Sequence, residues 1–301
     1  MGEEPANKGN SADITRDYFD SLQIEMRTID AAAASTGIEL FGASFSTPVM
    51  VTALSGLDGT RPGGMIDTAR GAAAAGAAMW CGIGSGEELE ALTGTGAKIV
   101  KIVKPYADRD LIFRKIAHAE KAGALAVGMD IDYFFGRKQN EGFAMGYPVS
   151  PKTLEDIKGF VKAAGLPFIL KGVLSEQDAE KALEAGAGGI MVSHHRGIID
   201  YAVPPLRILP SIARVVNNQI PIFVDCGIRR GMDAFKALAL GAKAVGVGGA
   251  VMEGLAGEGA EGVRKVLEGI TGELRWAMNL TGSRDPGRID PAVIWGRERA
   301  R

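Results

Sequence analysis

The stretch Leu170–Asp200 reads LKGVLSEQDAEKALEAGAGGIMVSHHRGIID and shows a strand–helix–strand pattern. Lys171 follows one short apolar run, and His194 and His195 follow the next, one helix later. A parallel strand–helix–strand unit brings the same ends of both strands to one surface. The pattern therefore predicts that a cation and an imidazole share one rim, in a chain with only three histidines to place.

A helix that ends in glycine and is followed at once by an apolar run recurs along the chain. Instances lie around Gly76, Gly123, Gly165, Gly186 and Gly241. Glycine just after a helix supplies the left-handed conformation of a C-cap, and uninterrupted apolar runs suit strands buried on both faces. The repeat predicts an α/β protein with a parallel sheet.

The number of strands favours a (β/α)8 TIM barrel over an open sheet, which normally carries a glycine fingerprint after its first strand. The predicted strands span 48–54, 78–83, 98–104, 125–131, 167–171, 189–193, 221–226 and 244–249, with a final helix near 259–279. Barrel active sites lie at the carboxyl ends of the strands. Candidates at these ends are Ser55, Cys81, Lys104, Asp130, Asp132, Lys171, His194, His195, Asp225, Arg229 and Gly248.

Length and composition indicate one domain with short additions. The 301 residues are 46% hydrophobic and 23% charged, and a net charge of −2 gives no reason to expect nucleic acid or a membrane as partner. The first residues lack the apolar core of a signal peptide. We predict a cytoplasmic protein with residues 1–15 disordered, a single barrel domain over 16–301, and a long loop, 132–152, over the barrel mouth.

The cysteines and the late glycine-rich loops each have two interpretations. Cys81 and Cys226 are interpreted as buried reduced thiols rather than a redox pair, and no metal-ligand cluster is apparent. DCGIRRG (225–231) and VGVGG (245–249) match the seventh and eighth strands, whose loops commonly bind phosphate in barrels. These glycines could simply permit tight turns, but Arg229 adds positive charge and favours a phosphate site.

From about Pro167 onward the chain resembles the FMN-dependent 2-hydroxy-acid oxidases and dehydrogenases, the group that contains glycolate oxidase, lactate oxidase and mandelate dehydrogenase. The resemblance lies in LKGVLSEQDAEKALEAGAGGIMVSHHRGIIDY and PIFVDCGIRRGMDAFKALALGAKAVGVGG. The first half matches faintly, through FGASFSTPVMVTAL and AVGMDID. The resemblance implies an FMN cofactor, a small-molecule substrate and a homo-oligomer of four or more subunits.

The resemblance also implies roles for single residues. Lys171 matches the lysine beside the flavin, where a cation stabilises the reduced ring. His195 matches the histidine that removes a proton from substrate, and Asp130 the aspartate that orients this histidine. The implied cofactor-binding residues are Ala53, Lys171, Ser193, Asp225, Gly227, Arg229, Gly248 and Gly249.

Several positions depart from the family pattern. HHRGIID is one residue shorter than the family motif and has Ile198 and Ile199 in the region where an arginine would clamp a substrate carboxylate, and 132–135 replaces a second such arginine. Lys104 stands where a tyrosine is expected, and Gly249 where a phosphate-binding arginine is expected. Two lysines and two histidines around one pocket then suggest an anionic substrate other than a standard small 2-hydroxy acid. The predicted substrate contacts are His194, Arg196, Lys104 and Tyr133.

The leading hypothesis is an FMN-dependent oxidoreductase that oxidises a hydroxy compound. An alternative is a non-redox lyase or isomerase in which Lys171 or Lys104 forms a Schiff base and His195 moves protons. A flavin-dependent isomerase and a catalytically inactive binding protein are two further possibilities. Purified protein would be yellow only if flavin is bound.

Overall fold

The computed structural model describes residues 9–134 and 142–295. Within that part of the chain, parallel strands close into a barrel in which each strand pairs with the next along the chain and the last pairs with the first. The barrel strands are β1 Val49–Leu54, β2 Met79–Cys81, β3 Ile99–Val103, β4 Ala126–Asp130, β5 Phe168–Val173, β6 Gly189–Val192, β7 Ile222–Val224 and β8 Ala244–Val247. The prediction of a (β/α)8 TIM barrel is confirmed, and each predicted strand overlaps the observed one.

The strands are short and buried because helices cover their outer faces. Most helices begin at a side chain that accepts an amide hydrogen bond in the first turn, such as Ser85 from Glu88 and Thr153 from Asp156. The helices are α1 Ser11–Ser21, α2 Gly64–Ala74, α3 Gly86–Gly94, α4 Arg109–Lys121, α5 Leu154–Ala163, α6 Glu176–Glu184, α7 Pro205–Val216, α8 Gly231–Ala239 and α9 Gly249–Leu280. Short 3-10 turns cover Leu57–Gly59, Pro286–Arg288 and Pro291–Val293.

The last helix begins earlier than the sequence predicted. It starts at Gly249, directly after β8, and is interrupted at Glu258 and Gly259, where the backbone is not helical. Gly259 has φ +58, a conformation that glycine adopts without steric cost. The predicted helix at 259–279 is therefore the second of two segments, and the first segment places a helix N-terminus at the carboxyl end of the barrel.

An antiparallel hairpin closes the amino end of the barrel. Its strands, Ile38–Leu40 and Ala43–Phe45, contribute Ile38, Leu40 and Phe45 to the apolar cluster inside the barrel, around Trp80 and Phe223. We call this hairpin together with the apolar interior the barrel floor. The amino end is therefore filled with side chains, and the carboxyl end is the open one.

The N-terminal helix α1 packs against the loops at the carboxyl end. Phe19 is fully buried, and Arg16 pairs with the buried Asp233 at 2.9 Å. The prediction that residues 1–15 are disordered is wrong for 11–15, because these contacts hold the helix on the barrel; residues 1–8 lie outside the described residues. A two-residue strand after α1, Gln23–Ile24, pairs with Ile294–Trp295 near the end of the described chain.

The predicted mouth loop 132–152 is described at both of its ends. Residues 135–141 lie outside the described part, and a small hairpin follows, Phe143–Ala144 paired with Tyr147–Pro148. Val149 bridges to Tyr106 just beyond β3. In the ranges 9–134 and 142–295, none of the helices combines the length and the hydropathy needed to cross a bilayer.

Candidate active site

The alternation of side chains along the barrel strands places a polar layer at the mouth. Ile169 lies in the apolar interior, so Lys171, two residues later, also points inward. The same offset relates Phe223 to Asp225 and Ile102 to Lys104. The interior residues at the carboxyl ends are Thr52, Lys104, Asp130, Lys171, Ser193 and Asp225.

Four of these side chains form a chain of alternating charge, which we call the mouth charge chain. Lys104 Nζ lies 2.6 Å from Asp130 Oδ2, and Lys171 Nζ lies 3.2 Å from Asp130 Oδ1 and 3.7 Å from Asp225 Oδ2. All four side chains are buried, with at most 7% of their surface exposed. With two positive and two negative groups, the mouth charge chain carries no net charge.

Proximity of opposite charges keeps this chain ionised although it is buried. Burial opposes the charged forms, but the carboxylates of Asp130 and Asp225 outweigh it and raise the pKa of Lys171. Burial likewise opposes ionisation of Asp130, but Lys171 and Lys104 lower its pKa well below the ordinary value. Lys171 also lowers the pKa of Asp225 against burial. Lys171 is therefore a permanent cation in the barrel mouth.

Asp225 is held inside the barrel by neighbouring side chains. Thr52 Oγ1 donates to Asp225 Oδ2 at 2.8 Å, and Cys226 Sγ donates to Oδ1 at 3.0 Å. A carboxylate also repels a phosphate. The structure thus places Asp225 beside Lys171, and the predicted phosphate contact of Asp225 has no support from this position.

His195 lies at the mouth and contacts two carboxylates. Its Nδ1 is 3.1 Å from Asp132 Oδ1 and 3.7 Å from Asp130 Oδ1, and its side chain is 21% exposed. The backbone at His195 has φ +50, and its N–H donates to Ser193 Oγ at 3.1 Å. The ring of Tyr133 lies 5.3 Å from the imidazole, centroid to centroid, and 3.7 Å below Lys104 Nζ. The structure therefore brings Lys104, Tyr133 and His195 together as predicted.

His194 is directed away from this cluster. Its Nε2 is 2.8 Å from Thr15 Oγ1 in helix α1, and its Nδ1 accepts the N–H of Gly197 at 2.9 Å. Nε2 must then carry the proton and donate to Thr15, and burial lowers the pKa of His194, so the ring is neutral. The predicted substrate contact of His194 has no support, because both ring nitrogens bind protein groups.

The structure places the predicted phosphate-binding residues in different surroundings. Gly248 and Gly249 form the start of helix α9, whose first amides have no intrahelical acceptor, and the space beside the Gly249 Cα is open. Arg229 is solvent-exposed in the loop after β7. Gly227 has a different reason for being glycine, because a Cβ there would lie 2.9 Å from Phe19 and from Thr15.

Two predicted contacts and the Cys226 thiol lie at the edge of the mouth. Ala53 is half-buried at the end of β1, and the Arg196 N–H donates to Cys226 Sγ at 3.3 Å. Both cysteines are free. Burial raises the pKa of the buried Cys81 to about 11 and of the half-buried Cys226 to about 12, so both stay protonated.

The residues at the mouth fit the flavin chemistry that the sequence resemblance implies. A buried ammonium at Lys171 suits the electron-rich edge of a reduced flavin, and the open helix N-terminus at Gly249 suits a phosphate. Asp130, Asp132 and His195 also place ligand atoms within 4.8 Å of one another, a cluster that the sequence did not predict. The ammonium groups of Lys104 and Lys171 beside Asp130 oppose a metal cation there.

Two features of the site were missed from sequence. Asp132 appeared only among the strand-end candidates, although it makes the shorter contact to His195. Thr52 received no role, although the alternation along β1 puts it on the same inner face as Met50. The signal for Thr52 was available, since it occupies the position that Lys171 and Asp225 occupy on their own strands.

Comparison with known proteins gives matches over nearly the whole chain. The family model described as FMN-dependent dehydrogenase matches residues 3–156 and 145–296. Glycolate oxidase 3 of Arabidopsis thaliana is 32% identical, over 88% of this chain and 82% of its own length. L-lactate oxidase of Lactobacillus jensenii is 32% identical, over 92% of this chain and 76% of its own length.

Solved structures agree in fold. A structure of mandelate oxidase with (S)-2-phenylpropionate superposes with a TM-score of 0.87 at 32% identity, covering 95% of this chain and 89% of the other. The similarity therefore extends over the first half of the barrel, where the sequence motifs were faint.

Proposed function

The chain belongs to the family of FMN-dependent 2-hydroxy-acid oxidases and dehydrogenases, and we propose that it oxidises a small hydroxy acid with His195 as the proton acceptor. The family uses FMN, which when bound supplies the two-electron acceptor. The observation that carries the proposal is the buried ammonium of Lys171 facing the barrel mouth beside an imidazole held by a carboxylate.

The side chains at the mouth divide the reaction between them. His195 Nδ1 faces a carboxylate, so its other ring nitrogen, Nε2, is the atom that would take the hydroxyl proton of the substrate, while a bound FMN would supply the acceptor for the hydride equivalent from the adjacent carbon. Lys171 offers a fixed positive charge to the reduced flavin without needing to be protonated during the reaction. Asp130 and Asp225 hold that ammonium in place at 3.2 and 3.7 Å.

The charge argument for an anionic substrate is weaker than the sequence suggested. It counted two lysines and two histidines as surplus positive charge, but Lys104 and Lys171 are neutralised within the mouth charge chain and His194 points away. The proposal of a hydroxy-acid substrate therefore rests on the relatives and on His195, and Arg196 stays a predicted substrate contact.

The same contacts disfavour a Schiff-base enzyme. A lysine must lose its proton to attack a carbonyl, and the carboxylates around Lys171 raise its pKa instead. Lys104 donates to Asp130 at 2.6 Å, which uses its proton in a buried ion pair. Borohydride treatment in the presence of a keto acid is expected to leave no adduct on either lysine.

Flavin content and bleaching test the proposal directly. We expect purified protein, or protein incubated with FMN, to be yellow with an absorbance maximum at about 450 nm. Anaerobic mixing with glycolate, L-lactate, (S)-mandelate and longer 2-hydroxy acids is expected to bleach this band with at least one compound. His195→Gln is expected to keep the band and lose the bleaching. A protein that stays colourless after incubation with FMN would overturn the proposal.

We propose in addition that the protein is cytoplasmic and forms a homo-oligomer of four or more subunits. The exposed Trp276 on α9 and Trp295 near the chain end, 59% and 49% accessible, offer apolar surface for such contacts. Light scattering coupled to size exclusion is expected to give at least four times the chain mass of 31.5 kDa. A monomeric mass would contradict the assembly without touching the chemistry.

A further inference from the structure

We propose that Asp132, and not Asp130, is the carboxylate that positions His195, an inference that rests on the proposed role of His195 as proton acceptor. Asp132 Oδ1 lies 3.1 Å from His195 Nδ1, within hydrogen-bond distance, whereas Asp130 Oδ1 lies at 3.7 Å. The family resemblance assigns this task to Asp130, so the geometry moves it two residues along the chain.

Each carboxylate oxygen of Asp130 faces a lysine. Its Oδ2 accepts from Lys104 at 2.6 Å, and its Oδ1 lies 3.2 Å from Lys171 without hydrogen-bond geometry. Charge-assisted contacts of this length are among the stronger interactions in a protein, and here they are buried. Lys104 stands where the family has a tyrosine, and its ammonium holds Asp130 Oδ2, while Oδ1 lies 3.7 Å from His195 Nδ1, beyond hydrogen-bond distance.

The backbone is shaped to bring Asp132 to this place. The N–H of Ile131 donates to Lys171 O at 2.8 Å, which continues the β4–β5 pairing one residue past the strand. The next residue of β5, Gly172, has φ +99, and a Cβ there would lie 2.5 Å from Asp132 Cγ and 2.8 Å from Oδ1. Glycine at 172 is therefore required for the Asp132 carboxylate to occupy its position.

Asp132 is suited to the task by its charge as well as its distance. Asp130 is in contact with two ammonium groups, whereas within residues 9–134 and 142–295 the Asp132 carboxylate has no lysine or arginine in ion-pair contact and its Oδ2 accepts no hydrogen bond; it interacts with Lys171 only at longer range. An Nδ1–H donated to Asp132 fixes the tautomer in which Nε2 is the basic nitrogen. The same carboxylate stabilises the imidazolium once the proton has moved.

The tautomer of His195 can be read without a substrate. Protein carrying FMN and ¹⁵N-histidine gives ring-nitrogen signals from three residues in magic-angle-spinning spectra, and His118→Gln and His194→Asn assign two of them. We expect wild-type His195 to be mainly Nδ1-protonated. Asp132→Asn is expected to reduce this population at least about threefold, and Asp130→Asn to leave it dominant. The control Asp178→Asn, at a half-exposed carboxylate on α6, is expected to leave it unchanged.

A second variant keeps the test decisive if Asp130→Asn does not fold. Gly172→Ala crowds the Asp132 carboxylate and leaves every charge in place, so it is expected to change the tautomer in the same direction as Asp132→Asn. Retention of the wild-type tautomer in Asp132→Asn, or an equal or greater loss in Asp130→Asn, would overturn the assignment.

Kinetic measurements test the role of Asp132 independently and distinguish its failure from failure of the proposed function. With a substrate from the hydroxy-acid panel, Asp132→Asn is expected to lower kcat by about 10²-fold or more with little change in KM, because the group acts through His195. If wild-type protein bleaches with no compound, the proposed function fails, while the tautomer result still decides which aspartate holds the ring.

Discussion

The two ends of the barrel are built from the same eight strands and have opposite contents. At the floor, Trp80 and Phe223 stack edge to face with centroids 4.9 Å apart, beneath the hairpin. At the mouth the inward-facing residues are charged: Lys171 lies two residues after Ile169, and Asp225 lies two residues after Phe223. The parity of the inward-facing positions is the same at both ends, so the difference comes only from which residue type occupies each position.

Along a single strand, the inward-facing residues at the floor stabilise the fold and those at the mouth serve the reaction. The floor gains free energy from burial of apolar surface, at roughly 25 cal/mol per Å². The mouth places four charged groups in the interior, where desolvation offsets much of the attraction. We therefore expect floor substitutions to alter stability and leave the reaction unchanged, and mouth substitutions to alter the reaction and, where they leave a charge unpaired, stability as well.

The largest effect is expected at the centre of the mouth charge chain. Lys171→Met removes the ammonium and leaves Asp225 without its cation, because Lys171 is the lysine within 3.7 Å of it. We expect the rate of flavin bleaching to fall by about 10²–10³-fold, and the free energy of unfolding to fall by about 3–5 kcal/mol. Stopped-flow absorbance and urea unfolding measure the two effects. Lys181→Met, 60% exposed, is the control and should change neither.

The floor is tested by removing one large side chain. Phe223 is 1% exposed and contacts Trp80 and Phe41, so Phe223→Ala leaves a cavity and is expected to cost about 3–5 kcal/mol in urea unfolding. Below the unfolding transition, the bleaching rate per bound flavin should stay within about twofold of wild type. A large loss of rate in protein that is still folded would show that the two ends of the barrel are coupled.

The edge of the mouth has a pH-dependent contribution through His194. Burial lowers its pKa below the ordinary 6.5, so the unfolded chain takes up a proton that the folded chain does not. The stabilisation is complete above about pH 6.5 and decreases as the pH falls below it. Asp130 and Asp225 have lowered pKa values, so the stability they contribute is lost only below about pH 4, outside this window.

Replacing the imidazole should remove that pH dependence. An asparagine can keep the acceptor for Gly197 but loses the contact to Thr15, so His194→Asn is expected to cost about 1 kcal/mol near neutral pH. Urea midpoints at about pH 7.5, 6.5 and 5.5 should then decline less steeply than in wild type. His118→Gln, whose ring pairs with Glu90 at the surface, is the control. An unchanged slope in His194→Asn would contradict the assignment.

The sequence predicted the barrel because its signals are local. Glycine after each helix and an apolar run in each strand are set by neighbouring residues, and the polar strand ends follow from the same runs. Lys171, Asp130 and His195 were placed at one mouth on this basis, and the structure brings their side chains within 3.7 Å of a neighbour.

The partners of these residues could not be predicted from local signals. His194 binds Thr15, 179 residues earlier, and the interaction depends on how helix α1 packs on the barrel. Asp132 lies closer to His195 than Asp130 does, at 3.1 against 3.7 Å, and Lys104 donates to Asp130 from a different strand. The alternation of side chains along β6 does predict one orientation: Met191 and Ser193 face inward, so His194 faces outward.

The smallest expected effect concerns backbone strain at the mouth. Cys226 follows β7 in the left-handed region, at φ +66, which costs a non-glycine residue about 1 kcal/mol. Cys226→Ala and Cys226→Gly both lose the thiol contacts to Asp225 and Arg196, and only the glycine variant removes the strain. We expect Cys226→Gly to be the more stable of the two by about 0.5 kcal/mol in urea unfolding, since relief of strain is offset in part by the extra freedom of glycine in the unfolded chain. Equal midpoints would mean that the segment after β7 relaxes without cost, and the mouth would then differ from the floor in charge alone.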